Sequence, residues 1–115
     1  AREHEAIREA KEFIFKNYSN DISLKDVANA VFLSNTYLSR IFKKYVGENY
    51  SDYLFRVRMD KAKSLLKNSN LKIYEISEKI GIQTPKYFFK VFKEYTGYTP
   101  IEYRKKALEG DKKNG

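Results

Sequence analysis

Cysteine and tryptophan are absent from the 115 residues, and histidine and methionine occur once each. Without cysteine there is no disulfide, no thiolate nucleophile and no cysteine-based zinc site, and the composition fits a reducing compartment, the cytoplasm. His4 stands near one end with no partner at ligand spacing and reads as a surface residue. No Gly-rich phosphate loop, Cys–His pair or Ser-His-Asp set is present, and the Asp and Glu residues are scattered. No catalytic residue, metal or cofactor is therefore expected, and the chain does not read as an enzyme. No apolar run approaches the ~18 residues of a membrane span, and no signal peptide is recognisable. The chain opens Ala-Arg-Glu-His instead of with Met, as a segment of something longer would.

What is present is charge and aromatic surface. The formal net charge is +8, with 42% hydrophobic and 16% aromatic residues, all of the latter Tyr or Phe. That is enough apolar matter for a packed core and does not fit disorder. The length suits one domain or two very small subdomains. The positive field favours an anionic partner: nucleic acid, an acidic protein or an anionic membrane.

The most informative stretch is residues 34–47, most of which returns as residues 84–97 at a shift of 50. Tyr37, Phe42, Lys43, Tyr45 and Gly47 meet Tyr87, Phe92, Lys93, Tyr95 and Gly97. Leu38, Arg40 and Ile41 meet Phe88, Lys90 and Val91. In each copy the apolar residues fall on one face of a helix, and Tyr37, Leu38, Ile41, Phe42, Tyr45, Tyr87, Val91, Phe92 and Tyr95 are read as core. The opposite face of the first copy carries Thr36, Ser39, Arg40 and Lys43. A short helix with an apolar back, a small-polar and basic front and a Gly stop is a candidate DNA-reading helix.

Taken in order, residues 3–18 predict a helix with Ile7, Ala10, Phe13, Ile14 and Tyr18 on one stripe. Ser23 and Asp26 resemble a capping box that opens a second, short helix burying Leu24, Val27, Ala28 and Val31. Ser34 caps the helix 35–46, and Gly47 ends it. Two short helices joined by a tight turn make a helix-turn-helix, although the same unit could be a hairpin used only for packing. Asn49 opens a long helix, about 50–67 and ~27 Å in length, read as a spacer between the halves. Ile73, Ile76, Ser77 and Ile80 then repeat the second helix at a shift of 49, with Lys72 where a capping Ser is expected. Gly81 supplies the turn, and one extra residue there, Gln83, accounts for the change of shift. Thr84-Pro85 starts the helix 85–96. Thr99-Pro100-Ile101-Glu102 starts a last helix through about Leu108, with Tyr53 and Tyr103 locking the helix that follows each unit.

The run Ile73-x-x-Ile-Ser-x-x-Ile-Gly-Ile, followed by Tyr87-Phe88-x-x-Val-Phe-Lys-x-Tyr-x-Gly-Tyr-Thr-Pro-x-Glu-Tyr-Arg104, resembles the C-terminal signature of the AraC/XylS family of bacterial transcription regulators. Leu33-Ser34-x-x-Tyr-Leu-Ser-Arg-x-Phe-Lys-Lys and Arg58-Met59-x-x-Ala62-x-x-Leu65-Leu66 extend the resemblance over about residues 5–106. It implies an all-α fold of seven helices, two helix-turn-helix units joined by a long linker helix. The corresponding organisation is 1–48 for the first unit, 49–68 for the linker helix, 69–108 for the second unit and 109–115 for a disordered tail.

The family's base-contacting positions fall on Thr36, Ser39 and Arg40 in the first reading helix and on Lys86, Phe89 and Lys90 in the second, with Pro85 nearby. Arg40 can pair bidentately with guanine. Phe89 is expected either exposed, against thymine methyl groups, or folded back on the core edge. Phosphate contacts are expected from Lys43, Lys44 and Lys93 and at the helix starts Ser23, Ser34 and Thr84. The expected partner is double-stranded DNA, read as an asymmetric site of two half-sites in successive major grooves about 34 Å, one turn, apart. The resemblance also implies RNA polymerase as a partner and an N-terminal sensor, dimerisation or receiver domain outside this chain. A basic helical protein-interaction module, using Phe89, Tyr74 and the basic faces, is the alternative. Non-specific nucleic-acid packaging is a third reading.

Overall fold

Capping chemistry divides the chain into helices. The computed structural model describes the backbone of residues 2–114 and the side chains of residues 2–110. Among these residues there are seven α-helices and no strand: α1 Arg2–Asn17, α2 Leu24–Ala30, α3 Asn35–Val46, α4 Tyr50–Asn68, α5 Ile73–Lys79, α6 Pro85–Thr96 and α7 Pro100–Asn114. No described helix is long and apolar enough to cross a membrane. Ser23 and Asp26 form the expected capping box: the Ser23 N–H donates to Asp26 Oδ2 at 2.8 Å, and the Asp26 N–H donates to Ser23 Oγ at 3.2 Å. Asn49 Oδ1 accepts the Asp52 N–H at the start of α4. Thr99 and Glu102 form a second reciprocal box at α7. At α5 the Lys72 side chain has no acceptor to offer, so only the Glu75 half of a box is made. α7 continues past Leu108, because Ala107, Leu108 and Glu109 are good helix formers and a single Gly110 costs only about 1 kcal/mol against Ala. Of the expected tail, Gly115 lies outside the described residues.

The helices pack as two compact units, one ending at Val57 and one beginning at Arg58. The boundary therefore falls inside α4, which the sequence pattern had set apart as a spacer. In the first unit Ile7, Ala10 and Ile14 of α1 join Val27, Ala28, Val31, Leu38, Ile41, Phe42 and Leu54 in one core. Each fully buried Ile, Leu or Phe contributes roughly 1.5–3 kcal/mol. Phe42 meets Tyr53 edge to face, with ring centroids 5.3 Å apart. In the second unit Met59, Ala62 and Leu66 of α4 are buried, as are Ile76, Ile80, Ile82, Phe88, Val91 and Phe92. Phe92 meets Tyr103 edge to face at 5.4 Å, the same pair of rings at a shift of 50. Arg104 donates to the Leu66 and Ser69 carbonyls, closing the end of α4 from α7.

Both helix-turn-helix turns are Schellman motifs, in which the second residue past the C-cap bonds five positions back. Leu33 N–H donates to the Ala28 carbonyl and Phe32 N–H to that of Asn29; Ile82 and Gly81 do the same to Ser77 and Glu78. The motif needs a left-handed residue after the cap. Gly81 takes it at φ 87°, but in the first unit Phe32 takes it at φ 60°. Ser34 follows Leu33 directly as N-cap, whereas Gln83 intervenes between Ile82 and Thr84, and this is the extra residue.

Candidate nucleic-acid interface

α3 and α6 present the two candidate reading faces, and each is set by its own caps. Ser34 Oγ accepts the Tyr37 N–H at 3.2 Å, and Thr84 Oγ1 accepts the Tyr87 N–H at 3.3 Å. Neither helix has an acidic residue in its first turn, which leaves the positive end of the helix dipole receptive to an anion. Ser23 differs: its hydroxyl and N–H both engage the Asp26 carboxylate, so that helix start already faces an anion. Gly47 and Gly97 stop α3 and α6 in the left-handed conformation at φ 85° each.

On α3, Leu38, Ile41 and Phe42 are buried while Thr36, Ser39, Arg40, Lys43 and Lys44 are exposed. The expected reader and phosphate positions thus share one surface. The Arg40 guanidinium lies 5.0 Å from the Tyr37 ring centroid, within cation–π range. Glu3 of α1 reaches the same flank. Tyr37 donates its hydroxyl to Glu3 Oε2 at 2.8 Å and Tyr45 to Oε1 at 2.7 Å. Arg40 Nη2 stands 3.8 Å from Oε2, and Lys44 Nζ 3.7 Å from Oε1. The Tyr45 and Tyr37 hydrogen bonds, reinforced by the two cations, hold the Glu3 carboxyl below its ordinary value. The bond to Glu3 raises the Tyr37 phenol in turn.

On α6, Phe88, Val91 and Phe92 are buried while Lys86, Lys90 and Lys93 are exposed, with Thr84 and Pro85 beside them. Two tyrosines differ from the helical-wheel expectation, and Phe89 resolves between its two alternatives. Phe89 is half-buried, nearer the second of its two expected placements than full exposure on the front, as the burial of an apolar ring favours. Tyr87, expected in the core, is 57% exposed, and Tyr95 is exposed as well. A tyrosine at the margin of an apolar stripe keeps its hydroxyl in water unless another element covers it. Their counterparts Tyr37 and Tyr45 are half-buried: both pack against the first core, Glu3 of α1 binds both hydroxyls, and the His4 ring lies 4.3 Å from that of Tyr45. Glu3 had no sequence signal: it stands 34 and 42 positions from the tyrosines it binds, and no local spacing rule reaches that far.

Among the described residues no group of three His, Cys, Asp or Glu side chains is placed to hold a metal ion.

Comparison with known proteins agrees with this geometry. A model of the Helix-turn-helix domain family matches residues 27–106. The chain is 38% identical over 97 residues to the HTH-type transcriptional regulator YisR of Bacillus subtilis, covering 84% of this chain and 34% of that protein. The chain spans about a third of the length of the curated relatives it matches. Among solved structures it resembles the C-terminal domain of the two-component response regulator yesN from Fusobacterium nucleatum, at 40% identity and TM-score 0.77, covering 83% of this chain and 93% of that one. It also resembles an AraC-type DNA-binding domain protein from Chromobacterium violaceum, at 27% identity and TM-score 0.84, covering 90% and 93%. With two capped helix-turn-helix units in the expected order, the chain belongs to the AraC family, as its C-terminal DNA-binding domain.

Proposed function

We propose that the chain binds double-stranded DNA sequence-specifically through two different readers, α3 and α6, each in a major groove, as the output module of a transcription regulator. The observation that carries this is the paired geometry of α3 and α6. In each, one face is buried in a duplicated scaffold, and the other presents three exposed cations and a receptive helix start. Thr36, Ser39 and Arg40 read base edges in the first half-site, with Arg40 suited to a guanine. Lys86 and Lys90 take the second, and the half-buried Phe89 offers only part of its ring. Lys43, Lys44 and Lys93, with the helix starts at Ser34 and Thr84, hold phosphates. Ser23 is the weakest member of that set because Asp26 already occupies its helix start.

The fronts Thr36-Ser39-Arg40 and Lys86-Phe89-Lys90 are unlike, so the target is an asymmetric pair of half-sites, about one helical turn apart. Two modest readers on one chain gain affinity through effective concentration. In the longer protein, an N-terminal sensor, dimerisation or receiver domain controls the module in the cytoplasm, and RNA polymerase is the partner at the promoter. The module itself has no catalytic role.

Selection of bound duplexes from a random pool tests the reading. Two non-palindromic half-sites should emerge, and log K for the winner should fall linearly with log salt. With roughly five to eight phosphate contacts the slope is about −4.5 to −7. A flat salt response, or a pool that never enriches, refutes it.

A further inference from the structure

The first reader carries its own counterion. Glu3 is the only carboxylate within 4.0 Å of a cation on the exposed face of α3 or α6 among the described residues. Its oxygens are fixed by the two tyrosine hydroxyls, while its contacts to Arg40 and Lys44, at 3.8 and 3.7 Å, are too long for hydrogen bonds. The carboxylate is therefore held by hydrogen bonds, whereas Arg40 and Lys44 rest in looser contacts, the ion pairs to Glu3 and the faces of the Tyr37 and Tyr45 rings, each 5.0 Å from the centroid. Arg40 stays 61% exposed beside a Glu3 side chain that is 26% exposed. A phosphate or base edge approaching Arg40 or Lys44 must draw the cation from a carboxylate that cannot follow.

The second reader lacks this device. The buried positions Ile7, Ala10 and Ile14 of α1 match Met59, Ala62 and Leu66 of α4 at a shift of 52. Phe55 then stands at the register of Glu3, an apolar residue where the first unit has an acceptor. Glu94 stands at the register of Lys44, and Glu102 of α7, already engaged by Thr99, feels Lys93 only electrostatically, with no ion pair within 4.0 Å on the exposed face of α6 among the described residues.

We infer that Glu3 is a positioning residue for DNA recognition: a fixed intramolecular competitor that weakens phosphate binding at α3 and leaves Arg40 to contacts strong enough to displace it. The consequence is selectivity. Non-specific phosphates lose to Glu3 more often than a bidentate guanine edge does, so the first reader discriminates more sharply than the second. This rests on the DNA-binding reading above.

The test compares wild type with Glu3→Gln, which keeps an acceptor oxygen for a tyrosine but removes the charge. Glu9→Gln serves as the control, the same change of net charge on an exposed α1 residue away from α3. All are measured by fluorescence anisotropy on the selected duplex and on an unrelated one, over a salt series, with thermal melts to show that each is folded. Glu3→Gln should bind the unrelated duplex roughly two- to tenfold tighter, as expected from releasing two exposed ion pairs. It should gain less on the selected duplex, and its salt slope should steepen by about one to two from one or two added phosphate contacts. Equal weakening on both duplexes with an unchanged slope means that Glu3 only braces α1 against α3, and it overturns the inference. An equal gain in Glu9→Gln overturns it too, because the effect is then global charge. Lys44→Gln gives a readout that leaves α1 intact: it should cost less affinity than Lys43→Gln in wild type and a similar amount when Glu3 is Gln. Equal losses in wild type refute the competition. Absence of salt-dependent binding by wild type itself is a different failure, that of the DNA-binding reading.

Discussion

Replacing Phe32 with Gly should make the first unit more stable. Phe32 occupies the left-handed position of a Schellman turn at φ 60°, and its side chain is 92% exposed. An L-residue in that conformation is strained by about 1–2 kcal/mol. Glycine removes the strain, while its freer unfolded chain returns about 0.5–1 kcal/mol of the gain. A ring so exposed contributes almost no burial to lose. The net expectation is a stabilisation of about 0.5–1 kcal/mol, or about 2–6 °C in midpoint for a domain of this size. Urea denaturation followed by far-UV circular dichroism measures it, and amide exchange at Leu33 and Phe32 reports the turn itself. Two controls separate the causes. Phe32→Ala removes the ring but keeps the strain and should be near neutral. Gly81→Ala introduces the strain at φ 87° in the second unit and should cost about 1 kcal/mol or more. A destabilised Phe32→Gly, or equal effects of Gly and Ala at position 32, refutes the strain argument.

Other expectations follow from the same geometry. Arg40→Ala should relax base preference at one position of the selected site, by about 1–3 kcal/mol of discrimination, whereas Lys43→Ala should weaken all duplexes alike and reduce the salt slope by about one; base-by-base competition binding separates the two. Ser77 is buried and donates to the Ile82 carbonyl at 2.6 Å, so Ser77→Ala should cost about 1 kcal/mol in urea denaturation, with little effect on α3. The carboxyls of Glu3, Asp26 and Glu102 are all held below their ordinary values by hydrogen bonds, first from Tyr45, Ser23 and Thr99 respectively. Their folded-state pKa lies below the unfolded one, so their stabilisation is present above roughly pH 4–4.5 and is lost as the pH falls through the depressed values. Urea midpoints should be level between pH 6 and 8 and decline below about pH 4.5; a decline already under way at pH 6 contradicts this.

Local chemistry made the helices legible. Ser23, Asn49, Ser34, Thr84 and Thr99 act as N-caps within three residues of their partners, and Gly47 and Gly97 as stops, so the bounds of α3 and α6 follow from short-range rules. The duplication made the core legible, since Phe42 and Phe92 recur on the same helical stripe. What stayed hidden depends on elements distant in sequence. A helical wheel places Tyr37 and Tyr87 alike; only the arrival of α1 with Glu3 makes one half-buried and leaves the other exposed. The turn at Phe32 carried no glycine to announce it. The division of α4 was hidden by its continuity: its residues form one uninterrupted helix, and only the burial of Leu54 in one unit and of Met59, Ala62 and Leu66 from the other side of Val57 shows two allegiances.

The duplicated backs and divergent fronts point to unequal mutational freedom, and a graft can measure it. Truncating a buried ring such as Phe42 or Phe92 costs about 3–5 kcal/mol, whereas an exposed substitution stays within about 0.5 kcal/mol. A reading face can therefore change while its scaffold cannot. Transferring the α3 front onto α6 requires Lys86→Thr, Phe89→Ser and Lys90→Arg. The two exposed changes together should leave the urea midpoint nearly unmoved. Phe89→Ser should not be silent, because that ring is half-buried, and its loss should cost roughly 1–2 kcal/mol. The double variant should also shift the selected second half-site toward the first, since Arg replaces a monodentate Lys with a bidentate donor. If Lys86→Thr with Lys90→Arg destabilises the domain as much as Phe89→Ser does, the front of α6 is not independent of its core, and specificity in the second unit cannot be exchanged without rebuilding the scaffold.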